Sequence, residues 1–185
     1  MRIQDPVRSL RFYVELLGMR TVFVMNAGPF TIYYLGYPKT PEHQADPAKF
    51  GEETFANLAH TFGLLELYHI HGTENEPAGL YSTGNQPPNL VLGHLGFTVP
   101  DVTKTLEYLK LHGAQIEKDL GVATRESIPL SQWEVQRGIG LGSVHPAYQK
   151  IFEQIAFVRD PVGLTPVFIE KNFGTVIPLS LCRKT

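Results

Sequence analysis

The sequence predicts an α+β protein built from two related βαβββ modules, and three observations carry that prediction. A capped amphipathic helix occurs twice. Each copy is accompanied by short runs rich in β-branched and aromatic residues, and no apolar run approaches the length that spans a membrane. At 185 residues the chain is long enough to bury a real core in one domain or in two small packed modules.

The first helix is read from "DPVRSLRFYVELLGM" (5–19). Asp5 is placed as N-cap and Pro6 at the first helical position, Leu10, Tyr13, Leu16 and Leu17 supply the apolar positions, and Gly18 ends the helix. The stretch "PDVTKTLEYLKLHGA" (100–114) repeats the design, with Asp101 as cap, Leu106 and Leu109 as core positions and Gly113 as stop. Aligned on the two aspartates, Leu10 falls on Leu106 and Phe12 on Tyr108, an internal repeat. After the first helix come strand-like runs "RTVFVMN" (20–26), "FTIYYLGY" (30–37) and, past a polar insertion at 38–60, "GLLELYH" (63–69). The second copy has "GHLGFTVP" (93–100) before its helix, then "AQIEK" (114–118) and "EQIAFVRDPVG" (153–163).

These elements divide the chain into a first module at 1–75, a linker at 76–92, a second module at 93–172 and an irregular tail at 173–185. The opening residues read as the end of a strand running into a helix, so the first module is expected to have a truncated amino-terminal strand. Residues 120–150 carry Gly, Pro and mixed charge without a sustained period, and are expected to form a long excursion or lid.

Lysine plus arginine, 16, nearly balances aspartate plus glutamate, 18, which argues against a general nucleic-acid surface or an anionic-membrane surface. A small ligand is the expected partner. The single cysteine, Cys182, excludes an internal disulfide framework and suits a reducing compartment. With no apolar signal-peptide core at the start, a cytoplasmic protein is expected.

Strand alternation locates the residues able to do chemistry. In "LLELYHI", Leu65, Leu67 and His69 face one way and Leu64, Glu66, Tyr68 and Ile70 the other. In "GHLGFTVP", Leu95, Phe97 and Val99 oppose His94, Gly96 and Thr98, with small neighbours at Gly93 and Gly96 leaving room for the His94 ring. A carboxylate and an imidazole lining one cleft suit a divalent zinc, nickel or iron ion. The competing reading is a polar core, since a lone strand histidine is more often a satisfied core residue. His43, His60, His69, His71, His112 and His145 fall in loops or at strand and helix ends, where solvated roles dominate. No P-loop, GxSxG elbow, CxxC pair or GxGxxG is present.

The ordered set "RIQDPVRSLRFYVELLGM", "IYYLGY", "LLELYHIHGTE", "YSTGN" and "GHLGFTVPDV" resembles glyoxalase I, the lactoylglutathione lyases of the vicinal oxygen chelate superfamily. The resemblance implies paired βαβββ modules whose curved mixed sheets surround a metal cleft, in a homodimer. It also implies one divalent metal per site, zinc in the first place and nickel as the alternative. The activity it implies is isomerisation of the glutathione–methylglyoxal hemithioacetal to S-lactoylglutathione. Residue by residue, Glu66 and His94 match two of the four metal ligands, and the first ligand falls upstream of Met1. The strict position of the fourth, which also serves as base, falls on Val167, with Glu170 three residues later as the candidate for both roles. Arg2 matches the arginine that reaches the glutathione glutamyl carboxylate. Ile70 replaces an asparagine, and Asn89 and Leu90 stand where an arginine is usual, leaving Arg125, Arg137 or Lys150 of the excursion as substitutes. Two alternatives stay open: a non-catalytic or truncated small-ligand-binding relative, and, ranked last, a ring-cleavage dioxygenase lacking its first-strand histidine.

Overall fold

The computed structural model describes residues 1–128 and 131–171. The tail expected at 173–185, with Cys182, lies outside the described residues. The chain divides into two units, Met1–Tyr81 and a second beginning at Ser82. Each holds a four-stranded mixed sheet, in the order β1-β4-β3-β2 in the first and β5-β8-β7-β6 in the second. The α+β expectation is met in both. No helix among the described residues is long and apolar enough to cross a membrane.

In the first unit β1 (Arg2–Ile3) runs parallel to β4 (Leu65–Ile70), and β2 (Arg20–Asn26) and β3 (Phe30–Gly36) complete the sheet antiparallel. Helix α1 (Pro6–Leu10) starts as expected, with the Asp5 carboxylate accepting from the Val7 and Arg8 amides. It then continues as a π-helical stretch, Arg11–Leu16. The wider winding changes which side chains reach the sheet. Phe12 and Tyr13 are buried, with Ser9, whereas Leu10, Leu16 and Leu17 are only half-buried. Ile3, Met19, Leu35 and Leu67 complete this core.

The insertion at 38–60 is helical rather than irregular. Thr40 caps α2 (Pro41–Ala45) and Asp46 caps α3 (Pro47–Ala56), each with a proline in the first turn. α3 packs on β2 at a bulge around Val22, and a Cβ added at Gly51 would lie 2.7 Å from the Val22 carbonyl oxygen. Helix propensity alone would make Gly51→Ala stabilising by roughly 1 kcal/mol. The clash is with backbone, which costs roughly 1–3 kcal/mol in a packed site. A net loss of about 1 kcal/mol in urea unfolding is expected, and a more stable variant would show that the helix can shift.

In the second unit β5 (His94–Val99) pairs parallel with β8 (Thr165–Glu170), which pairs antiparallel with β7 (Ala156–Arg159), which in turn pairs with β6 (Gln115–Lys118). β8 follows the last strand-like run read from the sequence, and it is an interior strand. Asp160, nearly fully buried, builds the turn that leads into it by accepting from the Val162 and Leu164 amides. One sheet face meets α4 (Val102–Leu111), burying Val102, Leu106 and Leu109 with Phe97, Ala156, Val158 and Phe168. On the other face the excursion packs down through α6 (Pro146–Phe152), where Phe152, Ala123 and Phe157 cluster with Ile128, Ile155 and Val167. The excursion also holds α5 (Gln132–Gln136), started by a capping box between Ser131 and Glu134.

Lys118 is sealed into this second cluster at 3% exposure. Its ammonium donates to the carbonyls of Phe152 (2.7 Å) and Ile155 and sits 4.4 Å from the Phe152 ring centroid. Burial pushes it from 10.5 down to about 8, with Asp119 and Glu153 opposing the shift. Between those two values the unfolded chain binds more protons than the folded one, so this group's contribution to stability rises with pH. Measured against Lys118→Met, the wild type should gain stability from about pH 8 to 10.5. A difference that is flat over that window would mean the ammonium is not desolvated.

Candidate functional site

Glu66 stands mid-strand in β4, half-buried, on the face opposite Leu67 and His69. The antiparallel register sets Tyr34 directly across from it. The Glu66 carboxylate, together with burial, holds the Tyr34 phenol above its ordinary range. Phe23 stacks on Tyr34 at 4.6 Å, and Phe55 of α3 meets Phe23 edge-on at 5.0 Å. On the other side Tyr68 stacks on Phe30 at 4.4 Å. Strands β1 to β4 contain no other carboxylate. The result is one acid group on an aromatic floor, across from a phenol, Tyr34, that sequence reading overlooked.

Arg2 is exposed and pairs with Tyr68 across β1 and β4, which puts it on the Glu66 face. One strand over and two residues along is a backbone separation of about 8 Å. Its guanidinium lies 6.0 Å from the Tyr81 ring centroid.

His69 is not solvated. It is 5% exposed, on the core face, with Nε2 2.8 Å from a Glu74 oxygen. Glu74 also accepts from the Gly72 amide and is held below the usual carboxylate range by backbone hydrogen bonding and by His69. This pair closes the "HIHGTE" turn. His71 meets the Thr31 hydroxyl at 2.8 Å, and His112 caps α4 through the Tyr108 carbonyl.

In the second unit His94 is exposed at the start of β5 and pairs with Thr165. Asn85 Nδ2 donates to the Gly93 carbonyl at 2.9 Å and to the Thr165 hydroxyl at 3.2 Å, tying together the two strand ends beside His94. A Cβ at Gly93 would lie 2.5 Å from Asn85 Oδ1, so the glycine serves this close approach, whereas Gly96 opens onto free space. Asn85 is a positioning residue missed from sequence; its signal is the "YSTGN" motif.

Glu170 does not join His94. The register pairs it with Val99, five residues along β5 from His94 or roughly 16 Å. Alternation turns it to the Phe168 side of β8, so it is exposed at the strand's far end on the opposite face. On the His94 face of β8, between Thr165 and Ile169, stands Val167, paired with Gly96 and packed in the excursion's apolar cluster. Of the excursion's cations, Arg125 donates to the Gly140 carbonyl, and Arg137 lies 4.0 Å from the Trp133 ring centroid and donates to the Trp133 carbonyl.

Among the described residues no three His, Cys, Asp or Glu side chains converge to hold a metal ion. Among the described residues the donors therefore do not make up the four-ligand set that the resemblance implies. Glu66 lies on the first sheet; on the second, His94 shares its sheet with Glu117, which pairs with Arg159, and with Glu170 on the opposite face.

Comparison with known proteins places these observations. Residues 1–128 match the family model described as the Glyoxalase/Bleomycin resistance protein/Dioxygenase superfamily. Over 130 residues the chain is 34% identical to a Saccharomyces cerevisiae protein named Glyoxalase I, an alignment covering 69% of this chain and 38% of that protein. It is 34% identical over 122 residues to a Pseudomonas aeruginosa lactoylglutathione lyase, covering 65% of this chain and 66% of the relative. The chain thus spans well under half of the yeast relative. Among solved structures, glyoxalase I from Leishmania major superposes with a TM-score of 0.51 at 19% identity, covering 95% of this chain and 85% of that one. Glyoxalase I from Zea mays gives 0.51 at 19% identity over 91% and 41%. At such identity these two speak for the fold.

Proposed function

The chain belongs to the glyoxalase/bleomycin resistance protein/dioxygenase superfamily, and from that premise we propose that it is a glyoxalase I-type lyase. On this reading it takes the glutathione–methylglyoxal hemithioacetal on the Glu66 face and converts it to S-lactoylglutathione, removing methylglyoxal in the cytoplasm as a homodimer. The observation that carries the reading is Glu66 itself. It is a half-buried carboxylate among aromatic rings on the Arg2 face, in a chain 34% identical to a protein named Glyoxalase I.

The isomerisation moves one proton between adjacent carbons through an enediolate, so it needs a base within hydrogen-bond reach of the substrate carbon. Glu66 is placed to take that proton from the sulfur-bearing carbon and return it to the neighbouring one. Tyr34 stands across from that carboxylate in the strand register, and Arg2 is placed to pair with the glutamyl carboxylate of the tripeptide. This assigns the base to Glu66 rather than to Glu170, which faces away. Zinc, or nickel, is the cofactor expected by analogy, and Glu66 in the first unit and His94 in the second are each, separately, the residues that the resemblance marks as candidate ligands.

The test is thioester formation by the purified, metal-stripped chain, before and after zinc or nickel is added. Turnover supports the reading. A folded chain that never turns over favours the second reading, a family member that binds a glutathione conjugate without converting it. Val167 favours that alternative, because an apolar side chain in a packed cluster stands where the base is expected. It predicts heat of binding for S-hexylglutathione with no thioester formed under any metal.

A further inference from the structure

A cavity of about 170 Å³ opens in the first unit where β3 leaves the sheet and β4 enters it. It is built by the helical insertion. Phe50 and Leu64 line its apolar side. The Phe50 ring is 2% exposed, while Phe62, which also lines the cavity, is 87% exposed. Asp46 ends α2 and caps α3, and the bend it makes brings His43 Nε2 to 2.9 Å from Glu53 Oε2 on the cavity wall. The His43 ring meets Phe50 edge-on at 5.5 Å.

The charges around this space are unevenly matched. Glu53 has two basic neighbours, the His43 ring and, at 3.8 Å, Lys49. The Asn57 amide and the Thr61 hydroxyl are occupied by the Glu53 and Asn57 carbonyls. Lys39 lines the cavity, is exposed, and has no ion pair among the described residues. The group left without a counterpart is therefore a cation, and beside it lies an uncovered aromatic ring. The volume is below the roughly 300–1,000 Å³ of sites for drug-sized ligands, which limits the occupant to about one ring.

We infer that this cavity binds a small carboxylate with a flat apolar body, its ring against Phe50 and Phe62 and its carboxylate on Lys39. Tyr34, Glu66 and Arg2 are not among its lining residues, so the site stands whether or not the chain turns over a hemithioacetal.

Benzoate titrated into the ¹⁵N-labelled full chain is the test. The amides of Thr54, Asn57 and Thr61 should shift with saturation in the millimolar range, as about nine heavy atoms allow. Lys39→Met, which removes the charge and keeps the stem at an exposed position, should weaken binding at least about fivefold, the scale of a charge-assisted contact. Lys104→Met in the second unit should leave it unchanged, and neutral benzamide should bind more weakly. Amide shifts elsewhere only, or equal affinity in Lys39→Met, would overturn the assignment. Equal binding of benzamide would overturn the choice of a carboxylate.

Discussion

Replacing Glu66 by glutamine is expected to lower kcat/KM for the hemithioacetal by on the order of 10²–10⁴, the usual worth of a positioned general base. The substitution preserves shape. A glutamine has nearly the size of the carboxylate it replaces, so the aromatic floor of Phe23, Tyr34 and Phe55 keeps its packing. Thermal stability should therefore change little, because the residue is only half-buried and the replacement fills the same space. Tyr34→Phe leaves the carboxylate in place and removes the phenol paired across from it, so it should cost less than Glu66→Gln. Wild-type turnover in the glutamine variant would remove Glu66 from the chemistry and reopen the search for a base.

The second large effect concerns stability. Phe168 is fully buried at the centre of β8, an interior strand, with its ring 5.9 Å from that of Phe97. Phe168→Ala removes an aromatic ring from a site held by β5, β7 and α4, and should destabilise the protein by roughly 3–5 kcal/mol. Leu111→Ala is the control. That side chain is 83% exposed at the end of α4, and its loss should fall within about 0.5 kcal/mol. Urea midpoints for both variants decide the matter. A Phe168→Ala loss below about 1 kcal/mol would mean that the second sheet's face does not pack as described.

Much of the architecture is legible in the residues one at a time. Asp5 and Asp101 announce their helices because a cap is a local device, its carboxylate bonding amides two or three residues on. Six strands are legible from β-branched and aromatic runs, and Glu66 and His94 fall on the polar faces that alternation assigns them. The helices of the insertion carry their own signals, Thr40-Pro41 and Asp46-Pro47, but lack a clear apolar stripe. They are held by Phe50 and Thr54 packing against the sheet. β8 escapes notice because Pro166 interrupts it, and a proline argues against an interior strand. It is tolerated where the β7 ladder, which pairs only with Val167 and Phe168, does not reach.

What the sequence determined by itself is the local layer: which segments pleat, which coil, and which side chains each strand turns to either face. The partnership of distant residues was decided only by the tertiary structure. Whether Glu170 or Val167 stands on the His94 face depends on the register between β5 and β8, two strands far apart in the chain. A slip of one residue would exchange the faces. The same holds for Lys118, which reads as an ordinary surface lysine until Phe152 and Phe157 close over it. It holds as well for His43 and Glu53, which meet because two short helices bend at Asp46. Such contacts follow from how the excluded apolar surfaces pack together, a property of the whole fold that no window of sequence contains.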